Sequence, residues 1–449
     1  MGDAAAHSNV NSKPADDAPQ QGGRDAVAIL RAIRSLGNSV SATPNAPLAV
    51  MAPFAVTHYT ATSALGRGRA AHLDALRSGQ SGLRANDFGP LHEGAPLPTW
   101  IGRVAGLEDA PLPEALAEWE CRNNRLAWLA LNQDGVLDAA QAARERHGAT
   151  RVAIVVGTST ASIGETEDAY ATRDADGQFP PHMRRPKVHT PHSLGNFVQA
   201  ATDLRGPCIT VATACSSSAK VFAQAARLIE AGLVDAALVG GVDTLCGSVL
   251  YGFNALGLVS KQPCMPFDAR RDGLSLGEAG GFALLERMNA GDATSLQLCG
   301  YGESSDAHHM SAPHPDGLGA QLTMRDALAR AGVSAADVGY LNLHGTSTPA
   351  NDSVEAKAVQ ALFPDSLHAS STKGWTGHTL GAAGIVESTI ALLALEHGFL
   401  PGTLGSSQPD ADCGPQIRFD SQDKTIAYAM NNSFGFGGNN CSLLFGVAR

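Results

Sequence analysis

The sequence predicts an α/β protein of two related halves, each built on a predominantly parallel, helix-covered sheet. Three observations carry this expectation. Short apolar runs of strand character alternate with helical patterns along the body of the chain, the order that βαβ units produce. The alternation starts afresh after about residue 295. The chain has 449 residues, 49 of them Gly, with 44% hydrophobic and only 5% aromatic residues. That length exceeds what one core usually fills, and the small-residue bias suits helix-on-sheet packing better than a sandwich or coiled coil.

Residues 1–46 read as an N-terminal extension, disordered or partly helical. The first two dozen positions offer almost no large apolar side chain to offset the entropy of ordering. Asp25 to Leu36 shows only a short helical pattern (Ala26, Ile29, Leu30, Ile33, Leu36). The first half is expected at 47–295. It opens with the strand LAVMAPFAV from Leu48, followed by a turn-rich stretch and an amphipathic helix through Ala70, Leu73 and Leu76. A helix from Trp119 to Leu131 presents Arg122 and Arg125 on one face. Val152–Val156 is a continuous apolar run of the kind buried on both sides of a sheet, and it ends at the turn Gly157-Thr158-Ser159-Thr160. Thr172 to Pro191 is loop-like and holds the densest basic cluster, Arg184, Arg185 and Lys187. The second half is expected at 296–449. It has a strand at Leu296–Gly302, a helix at Ala320–Ala331 and a strand at Val338–Leu343. A helix through Val354, Ala358 and Leu362, a long apolar helix from Leu380 to His397 and two closing strands around Asn432 to Asn440 complete it.

Composition narrows the function classes. A net charge of -11 disfavours nucleic-acid binding by bulk charge. The 8 cysteines are irregularly spaced, with no CxxC pair and no zinc-like Cys/His spacing, so neither a disulfide framework nor a metal site is expected. A strand-linked GxGxxG fingerprint for a dinucleotide is also missing. No apolar run reaches the roughly 20 residues of a bilayer span, and the N-terminus lacks a basic region followed by a hydrophobic core. The expectation is a cytoplasmic protein in a reducing compartment.

Four polar signals follow predicted strands or open helices. In ITVATACSSSA an apolar run stops at Cys215, and a helix with a buried face through Ala219, Phe222, Ala226 and Ile229 begins. Unpaired N–H groups at a helix start favour a thiolate and bring a cysteine pKa down, which suits a nucleophile; a small cysteine packed as a hydrophobe is the alternative. His344 ends one strand, and Lys373 with His378 precedes the long apolar helix. Each histidine taken singly also fits a structural, hydrogen-bonded role. NSFGFGGNN, from Asn432, is either a backbone that approaches a ligand or a tight turn between strands. In open α/β folds, ligands bind at the carboxyl ends of strands, where such signals can converge.

TACSSSA, GLVDAALVGGVD, PFDARRDGLSLGEAGG, HGTSTPAND, STKGWTGHTLGAAG and NSFGFGGNN occur in the order and approximate spacing of one family. From about residue 47 to 447 the chain resembles the elongating β-ketoacyl-acyl-carrier-protein synthases of the thiolase superfamily. The resemblance implies a five-layered αβαβα fold from two related halves and a decarboxylative Claisen condensation at a Cys-His-His site. Cys215 would hold the acyl chain, and His344 and His378 would donate through Nε2 to the malonyl enolate. Lys373, beside the second histidine, and Glu387 would orient the site. The N–H groups of Cys215 and Phe436 would form the oxyanion hole, with the Phe436 side chain as gate; Thr346 and Thr348 would bind the pantetheine arm. No cofactor is implied beyond the phosphopantetheine that arrives on the acyl carrier protein. The implied partners are that acidic carrier and a second subunit, in a homodimer or a heterodimer with a related ketosynthase or chain-length factor. Arg122, Arg125, Arg184, Arg185 and Lys187 lie near positions that form the family's carrier-docking patch, although solvated surface is their default reading.

Asn439 departs from the family's usual GFGGTN, and RNNRL and GESSDAHHMSAPHP are more like the aryl-polyene synthases, which build conjugated chains on an aryl starter. Two other readings compete. A non-catalytic chain-length factor would lack the cysteine, which is present in an intact TACSSS. A coenzyme A-dependent thiolase would use a second cysteine as base near the C-terminus, where Cys441 opens an apolar strand and reads as buried.

Overall fold

The computed structural model describes residues 48–89, 95–288 and 296–448. The expected extension, 1–46, lies outside the described residues. Ten strands make the main sheet: β1 (Phe54–Ser63), β2 (Val152–Gly157), β3 (Cys208–Val211), β4 (Ala236–Asp243), β5 (Ala279–Arg287), β6 (Leu296–Ser305), β7 (Val338–Asn342), β8 (His368–Ser370), β9 (Tyr428–Gly435) and β10 (Asn439–Val447). A short strand, Gly66–Arg67, folds back on β1.

The order across the sheet is β8-β7-β9-β10-β6-β1-β5-β4-β2-β3. It divides into two runs of five with the same topology. Numbered within its own half, each run reads 3-2-4-5-1 in space. The senses repeat as well: β3, β2 and β4 pair parallel, and β5 joins β4 and β1 antiparallel. Likewise β8, β7 and β9 pair parallel, and β10 joins β9 and β6 antiparallel. The runs meet where β1 and β6 share two antiparallel residue pairs, Phe54 with Leu298 and Ala55 with Gln297. The expectation of predominantly parallel sheets is therefore corrected: each run is parallel on one side and antiparallel on the other. Apolar patterning reports burial, and strands buried on both faces look alike whichever way their neighbours run.

Helices complete five layers. α1 (Arg122–Leu131) and α2 (Ser193–Thr202) cover the outer face of the first run. α3 (Ser217–Glu230) packs on β2 and β4. Against α3 lies the helix Ala383–His397, which also packs on β1, β7 and β9, so this pair forms the central layer. Leu318–Ala331 and Pro349–Leu362 cover the outer face of the second run. In chain order the remaining helices are α4 (Gly247–Ala255), α5 (Leu318–Ala331), α6 (Pro349–Leu362) and α7 (Ala383–His397). Leu48–Arg449 make one compact unit.

α7 is apolar on nearly every side, as a helix enclosed all round must be, whereas α3 keeps Arg227 and Glu230 on an open face. From Ala383 to Leu395 every residue of α7 is buried. The segment Leu380–His397 is long and apolar enough to cross a bilayer, but 89% of it is buried within the protein, which makes it a core element. Its first turn, Leu380–Ala382, is a 3-10 turn. At the other end of the chain, β1 starts at Phe54 and runs to Ser63, later than the expected strand at Leu48. Pro53, lacking an N–H, delays ladder pairing, and FAVTHYTATS is rich in the β-branched and aromatic residues that favour strands.

Candidate active site

Cys215 lies in a single 3-10 turn, Ala214–Ser216, between the end of β3 and the start of α3. Ala214 holds a left-handed φ of 52°, so the chain turns sharply and presents the sulfur from the end of the sheet. Ser217 Oγ accepts the Thr213 N–H at 2.9 Å and donates to Ala214 O at 2.6 Å, which ties the turn to the helix. The apolar strand, the turn and the serine cluster thus form one local unit.

Two histidines from the second half meet the sulfur. His378 follows Gly377, whose φ is 71°, and its backbone N–H donates to Ser275 O at 2.7 Å. Its Nε2 stands 2.9 Å from Cys215 Sγ. The His344 ring lies perpendicular to that of His378, centroids 5.4 Å apart at 86°. His344 is held through its backbone: its own N–H and that of Gly345 donate to Glu355 Oε1 and Oε2, each at 2.8 Å. Gly345 is required here, with φ at 34° and a notional Cβ only 2.5 Å from Ser371 Cβ.

Lys373 lies behind His344. Its Nζ donates to His344 O, contacts His344 Nδ1 at 3.4 Å and pairs with Glu387. The ammonium therefore orients the first histidine directly, while it also lies close enough to His378 to act on that ring's charge. An N–H donor at Nδ1 leaves the ring proton on Nε2, so His344 presents an Nε2–H to the site. His378 Nδ1 has no hydrogen-bond partner among the described residues, so nothing there fixes its tautomer.

Burial sets the charges. It lowers both histidines well below 6.5, and the Lys373 ammonium pushes them the same way, so both rings are neutral at pH 7. Burial also pushes the Cys215 thiol up to about 12, against the opposing pull of Lys373 and of the Phe436 N–H. The expected lowering of this pKa by a helix start is therefore corrected: the loss of thiolate hydration exceeds what nearby positive charge returns. The resting group is a thiol. Burial raises Glu387 to about 7 in spite of Lys373, and Glu355 likewise to about 7.

Donor atoms of Cys215, His344 and His378 all lie within 4.8 Å of one another, a spacing that could suit a metal ion. The Lys373 contact that places a proton on His344 Nε2 removes the lone pair such an ion would need. The trio is better matched to an anionic oxygen.

The backbone N–H of Phe436 donates to Cys215 and so, with the N–H of Cys215 itself, can face a developing oxyanion. Gly435 allows this approach, since a notional Cβ there would lie 2.7 Å from Thr213 O. The Phe436 ring stacks on Phe253 of α4, centroids 5.6 Å apart and 20° from parallel. Both rings, Thr346 and Thr348 line a cavity of about 290 Å³ that ends at Cys215, His344 and His378. The two threonine hydroxyls are 2.9 Å apart.

Residues 123–290 match the profile of the family described as Beta-ketoacyl synthase, N-terminal domain, and 297–407 that of its C-terminal domain. The chain belongs to the β-ketoacyl synthase family. The nodulation protein E of Rhizobium meliloti (strain 1021) is 36% identical over 306 residues, 66% of this chain and 76% of that protein. The 3-oxoacyl-[acyl-carrier-protein] synthase 2 of the same organism is 42% identical over 260 residues, 54% of this chain and 61% of its own length. The chain spans about three fifths of the length of the 3-oxoacyl synthases that it matches first. Among solved structures, the ketosynthase (ApeO) in complex with its chain length factor (ApeC) from Xenorhabdus doucetiae shares 37% identity, with a TM-score of 0.80 over 88% of this chain and 98% of that one.

In this member of the family, Cys215, His344, His378, Phe436, Thr346 and Thr348 share the cavity, while Lys373 and Glu387 stand behind it. The five basic positions do not reach it. Arg122 pairs with Glu108 and with the buried Glu278, Arg125 with Glu120, Arg185 with Glu165 at 3.5 Å, and Lys187 with Glu118 at 2.6 Å. Arg184 alone of the five has no carboxylate partner among the described residues, and it bonds Phe179 O at 2.9 Å. Cys441 is fully buried in β10 and does not line the cavity.

Three residues escaped the sequence reading. Glu355, the clamp on His344, lies on α6 with Asp352 and Val359 on its buried side; acids on an apolar helix face were the available signal. Phe253 completes the aromatic stack. Asp243, fully buried at the end of β4, accepts from the Thr158 and Thr160 hydroxyls at 2.6 Å each and from Ser159. It holds the Gly157 turn below the Cys215 helix, and only its place in GGVD pointed to it.

Proposed function

We propose that this chain is a β-ketoacyl-[acyl-carrier-protein] synthase that extends an acyl chain on Cys215 by decarboxylative condensation with a malonyl-carrier. The observation that carries this reading is the contact of 2.9 Å between Cys215 Sγ and His378 Nε2, with the His344 ring at right angles, at the end of a cavity lined by Thr346 and Thr348.

In the first half-reaction Cys215 attacks the acyl thioester. Its proton passes to His378, the oxyanion collects on the N–H groups of Cys215 and Phe436, and the C–S bond to pantetheine breaks. The pantetheine thiol leaves with the proton. Because the resting thiol is weakly acidic, proton removal has to accompany attack. In the second half-reaction the malonyl carboxylate leaves as CO2, and its bonding electrons move onto the thioester as an enolate. Two neutral rings stabilise the enolate oxygen without protonating carbon: His344 through its Nε2–H, and His378 through Nε2–H once its proton has shifted from Nδ1, a tautomer change that the unpartnered Nδ1 leaves open. The carbon then attacks the acyl-Cys215 carbonyl. A C–C bond forms, the C–S bond to Cys215 breaks, and the sulfur takes up one proton. Lys373 and Glu387 act as positioning residues. Thr346 and Thr348 would hydrogen-bond the pantetheine arm, and Phe436 stacked on Phe253 would gate it.

The intact Cys215 site favours this over a chain-length factor, and the histidine pair favours it over a coenzyme A thiolase. The substrate class follows the same logic: an acyl and a malonyl thioester on acyl carrier protein, in a cytoplasmic fatty acid or polyketide pathway, with phosphopantetheine brought by the carrier as the only prosthetic group. The narrower proposal is an aryl-polyene type of synthase, which the RNNRL and GESSDAHHMSAPHP segments support. The likeness to a ketosynthase solved with its chain length factor supports a heterodimer with a related subunit, alongside a homodimer. Intact-mass spectrometry of carrier-bound products from candidate acyl- and malonyl-carriers tests the reading. A two-carbon-longer β-ketoacyl product with CO2 release is expected, and its absence with every carrier pair while Cys215 stays unacylated overturns it.

A further inference from the structure

An oxyanion hole made by the N–H groups of Cys215 and Phe436 joins two elements far apart in the chain. Cys215 stands where α3 begins, and Phe436 lies on the 3-10 turn Phe436–Gly438 between β9 and β10. Two donors from separate elements act together only while those elements keep their spacing, because donors help most when they are aimed at the developing charge in advance. A side-chain link spans the gap. Lys220 stands in the first turn of α3, five residues after Cys215, and its Nζ donates to Asn439 Oδ1 at 3.5 Å. Asn439 Nδ2 in turn donates to Phe436 O at 3.5 Å. The path runs from the nucleophile's helix through one amide to the residue that supplies the second donor.

Both residues are unusual where they stand. A cation in the first turn of a helix opposes the macrodipole, and Lys220, half-buried, pairs with no carboxylate among the described residues to offset that. Asn439 opens β10 at the position where the family usually has threonine. Its amide carries an acceptor and a donor on separate atoms, so it can face Lys220 and Phe436 O at once, which a single hydroxyl does less well. The next residue, Asn440, points to the opposite face of the strand and donates to Asp306 at 2.8 Å, which leaves Asn439 to face α3. At 3.5 Å each contact is long for a hydrogen bond. What the link adds is the alignment of an ammonium charge with an amide dipole and a carbonyl dipole, which resists displacement of the turn.

We propose that Lys220 and Asn439 are positioning residues that hold the Phe436 turn against the Cys215 helix and keep the two oxyanion donors aligned for acyl transfer. The inference rests on the condensation reading above and adds the residues that keep its oxyanion hole assembled. Steps that pass through a tetrahedral oxyanion depend on this alignment. Malonyl decarboxylation does not, since its enolate is met by His344 and His378.

The test compares two rates in the same variants: single-turnover transfer to Cys215 from an acyl-carrier that the wild type accepts, followed by intact mass, and decarboxylation of malonyl-carrier. Lys220→Met and Asn439→Leu should each slow acylation on the order of tenfold, less than the loss of a whole donor, while decarboxylation stays within about twofold. A general structural defect would lower both rates together. The double variant should acylate within about twofold of the slower single one, because either change breaks the same link. Lys220→Arg, which keeps the charge and the reach, should acylate within about threefold of wild type. Asn439→Asp keeps an acceptor for Lys220 but offers Phe436 O no donor, and it should be about as slow as Asn439→Leu. Wild-type acylation in Lys220→Met or Asn439→Leu, losses that multiply in the double variant, or decarboxylation that falls in step with acylation overturns the link. A wild-type protein that takes no acyl group from any carrier and leaves malonyl-carrier intact overturns the condensation reading itself, which keeps the two failures apart.

Discussion

Lys373→Met removes the ammonium that both orients His344 and neutralises Glu387. The pair is buried, with side-chain exposures of 1% and 3%, so the carboxylate left behind cannot recover its partner from water. Breaking such a pair from one side usually costs about 3–5 kcal/mol. The structure permits a more specific estimate, because burial raises Glu387 from its ordinary 4.5 to about 7 even with Lys373 present. At about 1.4 kcal/mol per pH unit, that rise corresponds to roughly 3 kcal/mol, a floor once Lys373 no longer opposes it. A carboxyl whose folded pKa lies above its unfolded value binds its proton more tightly in the native state. The stability it confers is fully present below the unfolded pKa and is lost as pH rises through the folded one. Lys373→Met should therefore weaken steadily from about pH 4.5 to beyond pH 7, while Lys373→Met/Glu387→Gln, with nothing to ionise there, should not. The other buried carboxyls are common to both variants and cancel in the difference. Urea denaturation at pH 5.5, 7.0 and 8.5 measures it: the gap in favour of the double variant should widen by at least about 2 kcal/mol between pH 5.5 and 8.5. Malonyl-carrier decarboxylation should be impaired in both, since both lack the donor to His344 Nδ1. A gap that stays constant with pH would show that Glu387 is not held as a buried, costly carboxylate, and the account of this pair would fail.

Three further outcomes are expected. Alkylation of Cys215 by iodoacetamide should climb close to tenfold per pH unit from 7 to 10 without levelling off, because burial holds the thiol near 12; a plateau below pH 8 would show a preformed thiolate. His344→Ala and His378→Ala should each slow decarboxylation on the order of 100- to 1000-fold while peptide mass mapping still finds Cys215 acylated, near the wild-type rate in His344→Ala and more slowly in His378→Ala, which lacks the acceptor of the thiol proton; wild-type decarboxylation in either variant removes that histidine as an enolate donor. Gly345→Ala should lose about 1–3 kcal/mol of stability from backbone strain alone and more from crowding, read by thermal or urea denaturation, since its φ is 34° and the new methyl would meet Ser371 and Phe267; an unchanged midpoint would show that the turn relaxes freely.

What the sequence by itself determined is local. Strand and helix positions follow from the spacing of apolar residues, which is why β2, α1 and α6 lie close to where the pattern put them. Cys215 at a strand-to-helix turn, and the glycines beside His344 and His378, were legible because left-handed turns and helix starts restrict the residues that can occupy them. The order of six motifs then tied these points into one site. What only the tertiary structure decided depends on partners far away in the chain. Strand sense is one case: the antiparallel β4–β5 and β9–β10 pairings leave no mark in apolar patterning. The thiol pKa is another, because desolvation is set by every atom packed around the sulfur, and that outweighs the helix start that local reasoning credited. Lys373 could not be assigned to His344 from its position near His378, since its side chain reaches back across the site. The basic residues looked free for the same reason: Glu278, 156 residues from Arg122, becomes its partner only when the chain folds, because an ion pair is a property of distance in space and not of distance along the chain.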